Sequence, residues 1–189
     1  MRFIAFSIVL SCAAVSAFAA AENNLSGGAG YGKSPTASDV RELAKEFLKN
    51  MPGQFTVDKE QKQTLGKYEV PVMRNGDWVL VDPPVALVDS FAARTKAKAT
   101  LFVKAGDEFV RVSTSLNITP SLDGEGTILD HASGAYKNLI QGKRYTGKVT
   151  LFGKQFVADY DVIKEKGGKV IGAYLVAIPL TPASASQSK

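Results

Sequence analysis

The run Val170-Ile-Gly-Ala-Tyr-Leu-Val-Ala-Ile178 is apolar at successive positions. Strand side chains alternate between two faces, so a strand without alternation must be covered on both sides. A chain containing it needs a layer above and a layer below one sheet. The preceding segments supply the rest of that sheet. "AKATLFVK" and "EFVRVSTSL" flank the turn "AGD", "TGKVTLF" and "QFVADYDVI" flank "GK", and "EKGGK" leads into the apolar run. Short runs separated by glycine turns read as antiparallel hairpins. Further upstream, "YEVPVM" and "WVLV" flank Asn75-Gly76, the strongest short turn signal, and Pro71 argues for an edge position there.

Covering layers are also legible. In "TASDVRELAKEFLKNMPG", Thr36 or Ser38 can cap a helix whose Val40, Leu43, Ala44, Phe47 and Leu48 form one stripe, stopped by Pro52-Gly53. Asp82-Pro83-Pro84 can open a second short helix, "VALVDSFAART". After the Gly/Pro/Asp loop "NITPSLDGEG", a small helix runs from about Ser133 to Ile140 and ends at Gly142. These elements predict an α+β domain over 36–179. Its antiparallel sheet has five or six strands, with helices on one face and inserted segments roofing the other. A pocket between sheet and roof follows from that layering.

The N-terminus reads as an export signal: one basic residue, an apolar run from Phe3, then small residues, with cleavage after Ala19 or after Ala21. The periplasm is the expected compartment. Cys12 in "VLSC" raises lipidation as an alternative, disfavoured by the short apolar run before it. Cys12 is the sole cysteine, so the exported chain is expected to lack disulfides. Residues 20–35 read as a flexible leader, and 180–189 as a disordered tail. The net charge is +5, from 23 Lys+Arg against 18 Asp+Glu. That excess is spread out and lacks the interleaved aromatics of a base-stacking platform, so no nucleic acid is expected.

Catalytic constellations are sparse. His131 in "LDHAS" is the one histidine, and it reads as a loop side chain rather than a ligand or base. Asp159 and Asp161 share a strand face roughly 6 to 7 Å apart, a spacing that leaves a hydrolase open. A solvated face fits them better, with a salt bridge to a basic residue as the main alternative. No nucleophile elbow, zinc-protease motif or phosphate loop is present, so no enzyme, metal or cofactor is expected.

Arg111 asks a sharper question. By alternation Phe109, Arg111 and Ser113 face one way, and Val110, Val112 and Thr114 the other. An enclosed arginine needs a partner, and its fork of donors suits a carboxylate. A bound small acid would answer it. An ion pair with Asp107, Glu108 or Asp130, or a snorkelling surface position, would answer it equally well. Tyr145, Lys148 and Tyr160 lie on neighbouring strands and could line the same space.

The segments "ALVDSFAARTKAKATLFVKAGDEFVRVSTSL", "GTILDHASGAYKNLIQGKRYTGKVTLFGKQFVADYDVI" and "GGKVIGAYLVAI" together resemble single Cache domains of the Cache_3 type, extracytoplasmic sensing modules of bacterial chemoreceptors and sensor kinases. The resemblance runs from about Tyr68 to Ile178. It implies a PAS-like antiparallel sheet and a small-molecule pocket on its distal face, often for organic acids. It places Arg111, Ser113 and Thr114 in the family's "FVRVST", Tyr145 and Gly147 in "YxG", and Tyr160 on the next strand. Phe156, Ala158 and Val162 depart from the tyrosine, threonine and proline usual around that last tyrosine. The expected role is therefore a small-molecule sensor, with a separate membrane receptor or kinase as partner. The alternative is an interaction domain that has lost its ligand.

Overall fold

The computed structural model describes residues 34–80, 86–119 and 122–180. The export signal, nearly all of the leader, the Asp82-Pro83-Pro84 cap and residues 181–189 lie outside them.

Helix α1 (Ala37–Lys49) is capped by Thr36, one of the two caps that the sequence offers. Thr36 accepts from the Asp39 amide, while the Asp39 carboxylate accepts from the Thr36 amide, closing a reciprocal cap. Val40, Ala44 and Phe47 are buried along one stripe, and Phe47 tilts against Phe91 with ring centroids 5.1 Å apart. Strands β1 (Phe55–Leu65), β2 (Tyr68–Asn75) and β3 (Trp78–Val79) follow, then helix α2 (Ala86–Thr95).

The main sheet combines β4 (Lys98–Ala105), β5 (Glu108–Thr114), β8 (Tyr145–Leu151), β9 (Lys154–Lys164) and β10 (Val170–Pro179). Its order is β5-β4-β10-β9-β8, every pairing antiparallel. The apolar run of β10 occupies the centre, buried from Ile171 to Ile178. Between β5 and β8 lie the small pair β6 (Asn117–Thr119) and β7 (Leu122–Asp123), and helix α3 (Gly134–Leu139) capped by Ser133. The architecture is α+β and PAS-like, as expected.

Two apolar layers sandwich the sheet. On one face α1, α2 and Met73 of β2 pack with Leu101, Val103, Tyr174 and Val176. On the other, Phe102, Phe109, Ala158, Tyr160 and Leu175 pack with Leu129 and the α3 residues Ala135 and Leu139. Gly172 sits where β10 passes β4 too closely for any side chain, since a Cβ there would collide with the Phe102 carbonyl oxygen.

Two expectations need correction. β1 was not anticipated, yet it is the main partner of β2 and leaves the Asn75-Gly76 hairpin with β3 only two residue pairs. Pro71 pairs with Lys62 of β1, and β2 lies in the middle of the order β1-β2-β3 instead of at the edge that the proline suggested, although β3 reaches only Arg74 and Asn75. β5 ends the main sheet. Its outer edge is closed by residues 124–129. The Arg111 amide donates to the Thr127 carbonyl at 2.9 Å, the Gly126 amide to the Arg111 carbonyl at 2.9 Å, and the Leu129 amide to the Phe109 carbonyl at 3.0 Å.

Candidate binding site on the distal face

A cavity of about 370 Å³ opens on the face away from α1. Its walls come from β5, β8 and β9, from the segment closing β5, and from the start of α3. Arg111, Tyr145, Lys148 and Tyr160 all line it.

Ser113 does not, and the reason is a bulge. Arg111 pairs with Phe102 and Ser113 with Leu101, so two steps on β5 match one on β4 and Val112 is the extra residue. One inserted residue reverses the alternation beyond it. Ser113 therefore shares the face of Leu101, in the helix-side layer, and Thr114 takes the cavity side opposite Thr100. The Thr114 hydroxyl is already occupied there by a 2.6 Å hydrogen bond with the Thr100 hydroxyl. Thr114 also stands outside the cavity lining.

Arg111 is 4% exposed. Its Nη1 donates to Thr127 Oγ1 at 2.7 Å and to the Ile128 carbonyl at 2.9 Å. The guanidinium carbon lies 5.1 Å from the Phe102 ring centroid and 5.3 Å from that of Phe152, giving two cation–π contacts. Nε is buried without a hydrogen-bond partner. Among the described residues no carboxylate pairs with this cation. Asp107 reaches Lys104 at 3.6 Å, Glu108 meets His131 at 2.7 Å, and Asp130 accepts from the Ala132 amide at 2.9 Å. Burial lowers the Arg111 pKa, partly opposed by Tyr160, but guanidinium keeps its charge in proteins. The site therefore holds a fixed, enclosed positive charge.

Phe152 reaches Arg111 from the two-residue turn between β8 and β9. Its φ is +47° and that of Gly153 is +76°, the left-handed pair that tight hairpin turns demand. Glycine meets that demand freely, whereas phenylalanine is strained by about 1–3 kcal/mol. Opposite, Tyr145 stands edge-on to Tyr160 with centroids 6.2 Å apart. Gly134 makes room for the Tyr145 ring: a Cβ there would lie 2.9 Å from it. Burial raises the Tyr160 pKa despite the nearby Arg111 charge, so its phenol keeps its proton.

The hydrolase candidates do not assemble. Asp159 and Asp161 lie on the opposite face of β9 from Tyr160, and Asp159 is fully buried instead of solvated. It accepts from Thr146 Oγ1 at 2.7 Å and lies 3.7 Å from Arg144 Nε, while Arg144 Nη2 reaches Asp161 at 2.9 Å and Tyr174 Oη at 2.9 Å. The salt-bridge alternative is the one realised. His131 stacks on Tyr136 at 4.1 Å and is half exposed, on the roof and away from both acids. Among the described residues no cluster of three or more His, Cys, Asp or Glu could hold a metal, and no helix is long and apolar enough to cross a membrane.

The sequence reading missed Phe102 and Thr127. No local pattern marks them, because each becomes relevant only through contact with Arg111 from another element.

A family model described as the Cache 3/Cache 2 fusion domain matches residues 18–189. Among solved structures, the sensor domain of E. coli DcuS is similar at 14% identity, covering 53% of this chain and 80% of that one with a TM-score of 0.37. No curated protein matches the chain.

Proposed function

Because the chain belongs to the Cache 3/Cache 2 fusion domain family, we propose that it is an exported sensor domain whose distal cavity binds a small organic anion through Arg111. Members of this family are extracytoplasmic sensing modules, typically ligand-binding and non-catalytic. The observation that carries the reading is Arg111 itself: a buried cation on a cavity wall, with no carboxylate partner among the described residues. A buried charge left unpaired costs several kcal/mol, and a ligand carboxylate supplies the missing counter-charge. Tyr145, Lys148 and Tyr160 complete the proposed site.

The export signal read in residues 1–19 supports a periplasmic location. The bound state is relayed to a separate membrane receptor or sensor kinase, whose ligand-dependent capture by the exported protein would reveal it. A thermal-shift screen against small carboxylates, amino acids and amines, repeated on Arg111→Met, tests the binding reading. Stabilisation of the parent by an acid and its loss in the variant are expected. No response from the parent, or an equal response from both, would overturn it.

A further inference from the structure

We propose that the Phe152-Gly153 turn is a gate over Arg111, closed in the structure with the Phe152 ring on the guanidinium, and opened by rotating the backbone of Phe152 alone. What the gate admits rests on the reading that the cavity binds a small anion, whereas the gate itself stands on the turn.

Phe152 occupies the boundary between cavity and solvent. It lines the cavity and is nevertheless 37% exposed, while Arg111, which its ring contacts, is 4% exposed. The guanidinium carbon lies 5.3 Å from the ring centroid. The ring also rests on Gly124, where a Cβ would lie 3.5 Å from Phe152 Cε2. The Gly124 carbonyl accepts from Thr127 Oγ1 at 2.5 Å, and Thr127 Oγ1 accepts from Arg111 Nη1 at 2.7 Å. One ring therefore joins the β8–β9 hairpin to the segment that grips Arg111, and closes that side of the cavity.

Closure is held against the backbone. Leu151 pairs with Lys154, so Phe152 and Gly153 are the whole turn, and both have positive φ, +47° and +76°. That is the pattern of a type I′ turn, whose twist matches the flanking strands. A turn needed only to reverse the chain would carry asparagine or glycine in the first position. The phenylalanine is accounted for by what its ring covers.

A second state is written into the same two residues. In a type II turn φ is about −60° at the first residue and about +80° at the second. Gly153 at +76° already meets the second requirement. Phe152 can thus leave the left-handed region, where its side chain is strained, with Gly153 still at positive φ. Packing does not oppose the change. Among the described residues no atom lies within 4 Å of where a Gly153 Cβ would be, and Gly153, Lys154 and Gln155 are exposed. Opening costs the ring's contact with the cation and the better fit of the type I′ twist, and it releases the strain at Phe152. Opposed terms of comparable size are what a two-state element needs.

Fluorine NMR of the protein carrying para-fluorophenylalanine at position 152 alone, with no ligand added, tests this. The ring is expected to show a second, solvent-exposed signal or microsecond-to-millisecond exchange broadening. Arg111→Gln removes the cation and should enlarge the open population by about threefold or more. Phe152→Pro forbids a positive φ and imposes the open turn. It should melt within about 5 °C of the parent, and solvent exchange of the Arg111 guanidinium protons should quicken by about tenfold or more. This variant serves even if Arg111→Gln fails to fold. One sharp ring signal that ignores Arg111→Gln, a Phe152→Pro chain that does not fold, or guanidinium protons that exchange there as slowly as in the parent would overturn the gate while leaving the cavity able to bind an anion. Failure of the anion reading shows separately, in the thermal-shift screen, because no ligand enters this experiment.

Discussion

Two buried charges sit on opposite faces of the same sheet, and the chain treats them differently. Asp159, facing α1, receives its counter-charge from within: Thr146 donates to Oδ1 and Arg144, just before β8, approaches the same oxygen, while Oδ2 stays buried without a hydrogen-bond partner. Arg41 of α1 in turn donates to the Thr146 hydroxyl at 3.2 Å, tying the helix to the pair. Arg111, facing away, receives two neutral acceptors and two ring faces but no carboxylate among the described residues. A charge neutralised by the fold serves the fold. One left unneutralised beside a cavity is where the proposed ligand would bring the counter-charge.

The contrast predicts unequal costs on deletion. Arg144→Ala strands Asp159 and should destabilise by about 2 kcal/mol, below the full cost for a buried pair because Arg144 is 42% exposed. Urea unfolding reads this. Arg111→Met, by the same assay, should stay within about 1 kcal/mol of the parent, because removing an uncompensated buried charge offsets the two lost hydrogen bonds. A larger loss there would mean that the chain itself neutralises Arg111, and the contrast would collapse.

Acidity sharpens the same comparison. Burial raises the Asp159 pKa above its ordinary 3.8, and the Thr146 hydrogen bond and Arg144 only partly oppose it. Tyr174, sharing Arg144, is likewise pushed up to about 12 by burial. For Asp159 the folded state then binds more protons than the unfolded one between 3.8 and the raised value, so stability from this group falls as pH rises through that window. Asp159→Asn removes the titration. The stability of the parent relative to this variant should therefore decrease from pH 3.5 to pH 7; an unchanged difference would mean that Asp159 is ionised as easily folded as unfolded.

The smallest effect belongs to Phe152. Asparagine tolerates the left-handed backbone better than phenylalanine, so Phe152→Asn should gain about 0.5 kcal/mol after the lost ring contact is offset. Calorimetric melting without ligand measures it. A clear loss would show that the ring supports the domain more than it covers the guanidinium.

Much of the scaffold was legible because local chemistry and tertiary environment agree. Thr36, one of the two caps the sequence offers beside Ser38, is the one used; β10 announces its burial by lacking alternation, and Gly142 announces the end of α3. β1 was hidden: "FTVDKEQKQTL" is mostly exposed and polar, so neither periodicity marks it, and its order comes from pairing with β2. The site was half legible. Arg111 stood out as a charge within a strand, and Tyr160 as its neighbour across the sheet. The bulge at Val112 left no signal, since valine fits a regular strand equally well, and it turned Ser113 to the wrong face. Asp159 was misread for a related reason. Alternation told which residues share its face, but not that α1 would cover that face.

The most direct test observes the Arg111 guanidinium by nitrogen-15 NMR, its signals assigned by disappearance in Arg111→Met. On titration with a small carboxylate these resonances should move downfield and become protected from solvent exchange as the cation acquires an acceptor. Guanidinium signals that stay in place while the carboxylate binds elsewhere, or in the presence of every carboxylate tried, would contradict the account.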